Sequence, residues 1–393
     1  MTGLLIRDCR PMGGPAADIL VAAGRIAAIG PGLSAPAGTP VEEGRGLLAL
    51  PAFVEGHTHL DKTLWGTPWW VNEVGPRLID RIEAERRELA RRDHDPAAAA
   101  ERLARAFLLR GTTRIRSHAD VAPEIGTRHA DALVALRDAL RGTMDIQVVA
   151  FPQSGLLVRP GTLDLLDRAL RNGADILGGL DPSGIDRDPK GHCDAIFGLA
   201  ARHGVPLDIH LHEPGELGAF ALELIIERTL AQGMQGRVVV SHAFCLGEVA
   251  RAPALHEALA AAGIALATTA PPSRPVPSVR AARAAGGRIF AGNDGIRDTW
   301  NPNNGPDMLQ RAWLVALKND FRRDDEMELA FRMVTDWAAA ACGFEACALA
   351  EGQRADLVLL EAENPLEAVA VQPPRRLVVS HGRVVARDGA AVP

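Results

Sequence analysis

Eight apolar runs alternate with amphipathic segments through the middle of the chain. The runs lie at 47–54, 113–117, 145–151, 174–180, 206–211, 237–241, 263–268 and 287–291. Each has the length of a buried strand, and most are separated by stretches of helical periodicity, several of which end in glycine as helices commonly do. Alternating strands and helices predict a parallel sheet covered by helices, and eight such units predict a (β/α)8 (TIM) barrel. A doubly wound α/β sheet is the alternative.

Both ends of the chain have a different pattern, with short apolar stretches separated by glycine and proline. They cover residues 1–46, 352–362 and 375–389. This pattern predicts strands joined by turns. Two isolated small sheets would be marginally stable, so we expect the ends to pair with each other. The predicted organisation is a composite β-sandwich domain of residues 1–50 and 345–393 and a catalytic barrel of residues 51–344.

Composition excludes several classes of protein. With 47% hydrophobic and 23% charged residues, the 393-residue chain is typical of a globular protein. A net charge of −6 without clustered basic residues argues against a nucleic-acid partner. The sequence has neither a signal-peptide pattern nor an apolar stretch of membrane-spanning length, so we expect a cytoplasmic protein without a membrane partner. The five scattered cysteines lack a CxxC pair, which disfavours a disulfide framework or a thiolate zinc site.

Side chains that bind metals follow several of the predicted strands. His57 and His59 come after the first run, and alternate residues of an extended backbone point to one face. The ends of later strands carry His118 and Asp120, then His210, His212 and Glu213, then His242, and last Asn293 and Asp294. Only 12 histidines are present, and six of them fall at these positions. Because active sites of TIM barrels lie at the C-terminal ends of the strands, this clustering predicts a metal site.

Three imidazoles and one carboxylate suit a single divalent ion, Zn²⁺ or Fe²⁺, with a position left for water. The predicted ligands are His57, His59, His210 and Asp294. A bound cation lowers the pKa of its water, so that hydroxide becomes available as a nucleophile near neutral pH.

Three further catalytic roles follow from position in the sequence. Asp294 is predicted to accept the proton of the attacking water, and Glu213 to carry a proton to the substrate. His242 is predicted to orient or polarise the nucleophile. Alternatives stay open: Glu213 as a surface carboxylate, His212 as a supporting or core histidine, and His118 as a ligand only if a second metal is bound.

The segments that carry these residues resemble the amidohydrolase superfamily, and specifically its cytosine deaminase branch. The resemblance runs along nearly the whole chain, in PAFVEGHTHLDK, IRSHADV, VVAFPQSG, DIHLHEPGE, VVVSHAF and AGNDGIRDTWNP. It implies a metal-dependent hydrolase of non-peptide C–N bonds that removes an amino or alkylamino group from a heteroaromatic ring. It also implies that Gln153 contacts a ring carbonyl and that Trp300 packs against the ring or closes the pocket. Binuclear relatives bridge two metals through a lysine on the fourth strand, and ADILGGLDP has none, which predicts one metal.

Two departures from the cytosine deaminase pattern bear on the substrate. The fifth strand ends in HLHE, with His212 in place of an aspartate, and the eighth reads NDGIRDTW without the HDD run. With Lys62, these features are closer to the N-isopropylammelide amidohydrolases, the triazine members of this branch. Lys62 and His212 are therefore predicted to line the substrate pocket, and cytosine, other pyrimidines and triazines all remain candidates.

Two other functions stay as alternatives. One is a cyclic amide hydrolase of the dihydroorotase or hydantoinase kind, and the other is a catalytically inactive binding scaffold. The expected partners are a small heteroaromatic amine and further copies of the chain in a homo-oligomer. Trp65, Trp69 and Trp70 follow the first strand in a long loop, where they form either a lid or ordinary packing contacts.

Overall fold

Two eight-stranded sheets organise the chain. They are seen in a computed structural model that describes residues 3–75 and 77–392. Within these residues, no helix is both long enough and apolar enough to cross a lipid bilayer.

The first sheet is a parallel barrel whose strand order follows the order of the chain. Its strands are β5 (Phe53–Thr58), β6 (Thr112–Asp120), β7 (Asp145–Phe151), β8 (Ile176–Leu180), β9 (Leu207–Leu211), β10 (Val238–His242), β11 (Ala265–Thr268) and β12 (Arg288–Ala291). A parallel bridge between Thr58 and Asp294 joins the two ends of the sheet. The (β/α)8 prediction is confirmed. The doubly wound alternative is wrong, because such a sheet reverses its strand order and the described strands run in sequence.

Helices surround the barrel, and those from Leu78 to Ala284 connect its strands, whereas the last four follow the last barrel strand. They are α1 (Leu78–Arg91), α2 (Pro96–Leu108), α3 (Arg128–Ala139), α4 (Thr162–Arg171), α5 (Pro189–His203), α6 (Gly215–Ala231), α7 (Ala252–Ala261), α8 (Val279–Ala284), α9 (Met308–Lys318), α10 (Asp324–Arg332), α11 (Asp336–Cys342) and α12 (Pro365–Val371), with a 3-10 turn at Phe244–Gly247. Local signals start several of them. Asp95 caps α2 by accepting from the backbone N–H groups of Ala97 and Ala98, and a proline follows the cap.

The second sheet combines both ends of the chain, as predicted. Its strands are β1 (Gly3–Pro11), β2 (Ala17–Ala22), β3 (Arg25–Gly30), β4 (Val41–Pro51), β13 (Leu357–Leu360), β14 (Arg375–Ser380), β15 (Arg383–Arg387) and β16 (Ala390–Ala391). β4 joins the two ends because it pairs with β1 on one side and β13 on the other. The sheet curls back on itself, since Ile26 of β3 exchanges backbone hydrogen bonds with Gly352 and Gln353. This curl encloses a core of its own, separate from that of the barrel.

One predicted run crosses the junction between the two sheets. Residues 47–54 read as a single apolar strand, but the structure divides them between β4 and β5, with Ala52 between. Both strands are buried here, so hydrophobicity carries no mark of the change of sheet. We propose residues 50/51 and 344/345 as the domain boundaries; the outermost residues of the terminal ranges, 1, 2 and 393, lie outside the described residues.

Closure of the barrel depends on a glycine beside the first strand. A Cβ atom on Gly292 would lie 2.5 Å from the Cβ of His57 and 2.6 Å from its backbone nitrogen and oxygen. Without a side chain, the chain after β12 approaches β5 closely, and the N–H of Asp294 donates to the carbonyl of His57 at 2.7 Å. Asp294 has a φ of 62° and His242 one of 72°, a left-handed conformation that non-glycine residues adopt mainly where the surroundings enforce it.

Candidate metal centre and substrate pocket

Imidazoles from four strands and a carboxylate after a fifth converge at the C-terminal end of the barrel. Two sets of side chains place their ligand atoms within 4.8 Å of one another: His57, His59, His118 and His210, and His57, His210, His242 and Asp294. The sets share two histidines, so they enclose one region. The four predicted ligands all belong to it. His59 Nε2 lies 3.2 Å from Asp294 Oδ1, and His57 Nε2 lies 3.7 Å from the same atom.

The hydrogen bonding of these rings fits a metal site. His57 Nε2, His59 Nδ1 and both ring nitrogens of His118, His210 and His242 are buried without a hydrogen-bond partner among the described residues. Buried polar atoms in proteins nearly always have partners, so this many unpaired ring nitrogens at one point require an explanation. Coordination of a cation would satisfy one nitrogen of each ring that binds it. His242 and His118 also belong to these sets, although the sequence predicted His242 to orient the nucleophile and His118 to be a ligand only if a second metal is bound.

Burial disfavours the protonated form of His59, His210 and His242, and a metal-binding imidazole must be neutral. Burial, assisted by the positive charge of Lys62, lowers the pKa of His59 to about 3. Burial likewise holds the pKa values of His210 and His242 well below the usual range. Burial opposes ionisation of Asp294, but its interactions with the neighbouring imidazoles, His57 and His59 above all, outweigh it and hold its pKa well below the ordinary value.

A serine and an aspartate fix the tautomer of His57. Ser241 Oγ lies 2.8 Å from Asp208 Oδ1 and 2.9 Å from His57 Nδ1. Burial disfavours the charge on Asp208, yet neighbouring His118 and Arg116 hold its pKa well below normal, so it is an acceptor only. The Ser241 hydroxyl therefore donates to Asp208 and accepts from His57 Nδ1–H. The lone pair of His57 is left on Nε2, which faces the cluster.

A second buried network holds the loop that carries Asp294. Glu55 accepts hydrogen bonds from the backbone N–H of His57 at 3.0 Å and from the side-chain amide of Asn293 at 2.6 Å. Arg311 donates to the Asn293 amide oxygen at 3.0 Å. Burial raises the pKa of Glu55 to about 7. Sequence reasoning missed Glu55 and Arg311; the signal for Glu55 was a lone acidic residue inside the apolar stretch AFVEGH.

A cavity opens beside the cluster and is lined by His59, Lys62, Phe151, Gln153, His210, His212, Asp294, Asp298 and Trp300. The structure thus brings the four predicted substrate contacts, Lys62, Gln153, His212 and Trp300, to one place. Sequence reasoning missed two lining residues. Phe151 stacks on His210, with ring centroids 4.1 Å apart, and Asp298 comes from the loop after Asp294.

Lys62 is held by protein acceptors on all sides. Its ammonium group lies 2.6 Å from Gln153 Oε1, 3.3 Å from Asp120 Oδ1 and 3.3 Å from Glu85 Oε2. Burial would lower the pKa of Lys62, but the carboxylates of Asp120 and Glu85 outweigh it and raise the pKa above normal. The three N–H bonds of Lys62 match these three acceptors, so the lysine organises its neighbours within the pocket wall.

His212 and Glu213 have different surroundings. His212 Nδ1 lies 2.8 Å from Asp181 Oδ2, and its ring stacks on that of His242 with centroids 4.3 Å apart. Burial would lower the pKa of His212, but Asp181 outweighs it and raises that pKa. Glu213 is buried but is not among the residues that line the cavity. Its Oε1 accepts the backbone N–H groups of Ser183 and Gly184, both at 2.6 Å, and burial raises its pKa to about 6.

The tryptophans after the first strand lie away from the cavity lining. Trp65 packs against the barrel core, and Trp69 is 63% exposed with its ring under the guanidinium of Arg297. Trp300 lines the cavity, and its indole N–H donates to Glu85 Oε2 at 2.5 Å. A lid formed by Trp65, Trp69 and Trp70 stays a prediction.

The chain belongs to the amidohydrolase family, whose sequence profile matches residues 87–386. N-isopropylammelide isopropyl amidohydrolase from Pseudomonas sp. (strain ADP) is 30% identical over 360 residues, which are 88% of this chain and 88% of that protein. The resemblance drawn from the motifs is confirmed. The family is metal-dependent, and the His/Asp cluster is suited to hold a metal.

Solved structures agree with this assignment. N-isopropylammelide isopropylaminohydrolase from Burkholderia multivorans ATCC 17616 is 55% identical, with a TM-score of 0.97 over 100% of both chains. 5-Methylcytosine deaminase from Klebsiella pneumoniae, liganded with 5-fluorocytosine, is 27% identical, with a TM-score of 0.85 over 98% of this chain and 97% of that one.

Proposed function

We propose that this chain is a metal-dependent hydrolase that removes an amino or alkylamino group from a carbon of a heteroaromatic ring. The observation that carries the proposal is that a metal-binding cluster and a cavity adjoin each other at one end of the barrel. A cluster of unpaired buried imidazoles opens into a cavity lined by Gln153, Trp300 and Asp298. Similarity over the full chain to an N-isopropylammelide isopropylaminohydrolase supports a triazine ring as the first substrate to test.

The proposed cofactor is one divalent ion, Zn²⁺ or Fe²⁺, held by His57, His59, His210 and Asp294. When bound, such an ion activates water and stabilises negative charge that develops during attack on the ring. The fourth barrel strand supports a single ion, since its sequence ILGGL offers no lysine to bridge two metals.

The chain's own residues supply the other steps. Asp294 is proposed to accept a proton from the attacking water, and His242 to orient that water by hydrogen bonding. Glu213 is the proposed carrier of a proton to the substrate, because a pKa of about 6 lets it exchange a proton near neutral pH. Its Oε2 is the oxygen free to do so, since Oε1 is occupied by two backbone N–H groups. Gln153 and Trp300 are proposed to hold the ring.

The two alternatives have less support. A cyclic amide hydrolase of the dihydroorotase or hydantoinase kind would be expected to bind two metals, for which the fourth strand lacks the bridging lysine. An inactive scaffold would have no use for a cluster of neutral imidazoles beside an ionised carboxylate. Homo-oligomer formation and a cytoplasmic location are proposals carried by the sequence alone, and light scattering on the purified protein tests the first.

Amine release from metal-loaded protein tests the function. The substrates are N-isopropylammelide, ammelide, cytosine and 5-methylcytosine, with dihydroorotate and hydantoin as probes of ring opening. Amine or ammonia release from at least one aminated ring is expected, together with one metal per chain by elemental analysis. Asp294→Ala is the control, and we expect it to lose both metal and turnover. Release from none of the aminated rings, or faster opening of the cyclic amides, would overturn the proposal.

A further inference from the structure

Asp298 has one carboxylate oxygen that the fold uses and one that it does not. Oδ1 accepts the backbone N–H groups of Trp300 and Asn301, both at 2.8 Å. Oδ2 is buried and has no hydrogen-bond partner among the described residues, although the side chain lines the cavity. The turn needs only Oδ1. A buried carboxylate oxygen without a donor costs stability, so Oδ2 is available for a donor that enters the cavity.

The neighbouring backbone leaves room for this oxygen. A Cβ atom on Gly295 would lie 2.1 Å from Asp298 Oδ2 and 2.7 Å from its Cγ. The carboxylate cannot swing away from such an atom without losing its two backbone hydrogen bonds. Glycine at 295 therefore permits Asp298 to hold its position in the wall of the cavity.

The amide of Gln153 is oriented by Lys62. An ammonium group donates hydrogen bonds and accepts none, so the Gln153 atom 2.6 Å from Lys62 Nζ is the amide oxygen. This contact settles the choice between the two amide orientations, which heavy-atom positions alone leave open. Among the described residues, the Gln153 side chain is hydrogen-bonded through its amide oxygen, and its Nε2 group, with two N–H donors, has no partner. It is therefore left to donate to a ligand in the cavity.

We propose that Asp298 is a specificity-determining residue which, with Gln153, recognises an amide edge of the ring. The ring carbonyl oxygen accepts from Gln153 Nε2, and a ring N–H donates to Asp298 Oδ2. This inference rests on the proposed function and deepens it, because it names the substrate class: oxo-substituted rings that carry a –CO–NH– edge beside the amino group. A ring with only unprotonated nitrogens offers Asp298 no donor.

Asp298→Asn reverses the polarity of this contact and keeps the turn. The asparagine oxygen must stay with the two backbone N–H groups, since the amide NH₂ cannot accept them. Its NH₂ group then takes the position of Oδ2, so that a donor faces the ring N–H, which is also a donor. We expect kcat/KM on an oxo-substituted amine to fall about 10- to 100-fold, mostly through KM, because the contact exists in both ground and transition states.

Cyanuric acid serves as a binding probe that needs no turnover, because carbonyl and N–H groups alternate around its ring. In Gln153→Glu, one carboxylate oxygen still accepts from Lys62, and the other oxygen replaces the Nε2 donor with an acceptor. We expect each single variant to weaken cyanuric acid binding in calorimetry about tenfold or more. In the double variant, position 298 donates and position 153 accepts, which is the reverse of the wild-type arrangement. Because carbonyl and N–H groups alternate around cyanuric acid, the double variant should bind it more tightly than either single variant.

The outcomes separate this inference from the proposed function. If the wild-type protein releases no amine from any ring, the proposed function fails, while cyanuric acid binding still reports on Asp298. Binding and kcat/KM of Asp298→Asn within twofold of the wild type would overturn the inference. So would weakened binding accompanied by a lower melting temperature or lower metal content, since that result assigns Asp298 a structural role alone. Absence of wild-type binding to cyanuric acid would overturn it as well.

Discussion

Substitution of Ser241 by alanine tests whether the relay from Asp208 sets the metal-binding state of His57. In the wild-type protein, the Ser241 hydroxyl donates to Asp208 and accepts from His57 Nδ1–H. Alanine removes that acceptor, so neither tautomer of the buried His57 ring is favoured by Ser241. The proton can then reside on Nε2, where it blocks coordination.

The size of the effect follows from the hydrogen bond that alanine removes. Ser241 and His57 are both buried, so Nδ1–H of His57 would be left without a partner, at a cost of about 1–3 kcal/mol. Loss of an outer partner of a metal-binding histidine typically weakens metal affinity about 10- to 100-fold, which agrees with that range. Asp208→Asn should be worse. Its amide can donate to Ser241, which then donates to His57 Nδ1 and places the imidazole proton on Nε2.

Metal affinity is measured by competition with a fluorescent chelator, so the result is independent of turnover. Ser117→Ala is a matched control, because Ser117 is a buried serine on β6, next to the strand of His57; its hydroxyl accepts from the N–H of Leu60 and donates to the carbonyl of His118. We expect the control to bind metal within about threefold of the wild type. An unchanged affinity in Ser241→Ala, measured on protein with wild-type stability, would refute the tautomer argument.

Three other substitutions probe the barrel closure, the domain contact and the proton carrier. Gly292→Ala places a methyl group 2.5 Å from the Cβ of His57, so unfolding by urea should show a loss of about 1–3 kcal/mol together with weaker metal binding. Asp145 is a partly exposed residue whose Oδ2 lies 2.6 Å from Arg354; burial disfavours its charge, but His381 and Arg354 lower its pKa to about 2. Because its folded pKa lies below the unfolded one, its contribution is present above about pH 4 and is lost as pH falls toward 2. Asp145→Asn should therefore cost about 1–2 kcal/mol at pH 7, after allowance for solvent screening, and much less near pH 2. Glu213→Gln should keep the metal and lower kcat by at least about 100-fold, measured by amine release.

Each of these has its own control. Gly198→Ala adds a methyl group that meets nothing within 4 Å, and the helix should become more stable by up to about 1 kcal/mol. Asp138→Asn changes an exposed carboxylate on a neighbouring helix and should leave the pH profile near that of the wild type. Glu223→Gln alters an exposed glutamate on α6 and should not affect kcat. A pH-independent cost for Asp145→Asn, or wild-type kcat in Glu213→Gln, would contradict the assigned roles.

Much of the fold was readable from the sequence because its signals are local. Buried parallel strands are short apolar runs, helices between them show the 3.6-residue period, and eight repeats of this unit leave few architectures. The predicted ligands were also local, since each follows the apolar run that places it at the C-terminal end of a strand. The division of residues 47–54 between two sheets was not local, because both halves are buried and hydrophobic whichever sheet they join.

What the tertiary structure decided is which polar atoms are satisfied. The tautomer of His57 depends on Ser241 and Asp208 from two other strands, and the orientation of Gln153 depends on Lys62, 91 residues earlier. The free oxygen of Asp298 can be recognised only after its other oxygen is seen to hold the following turn. Sequence patterns specify which residues are buried and which residues follow the C-terminal end of each strand. A hydrogen bond between distant strands requires its donor and acceptor to be positioned to within a few tenths of an ångström. Only packing of the complete barrel fixes those positions.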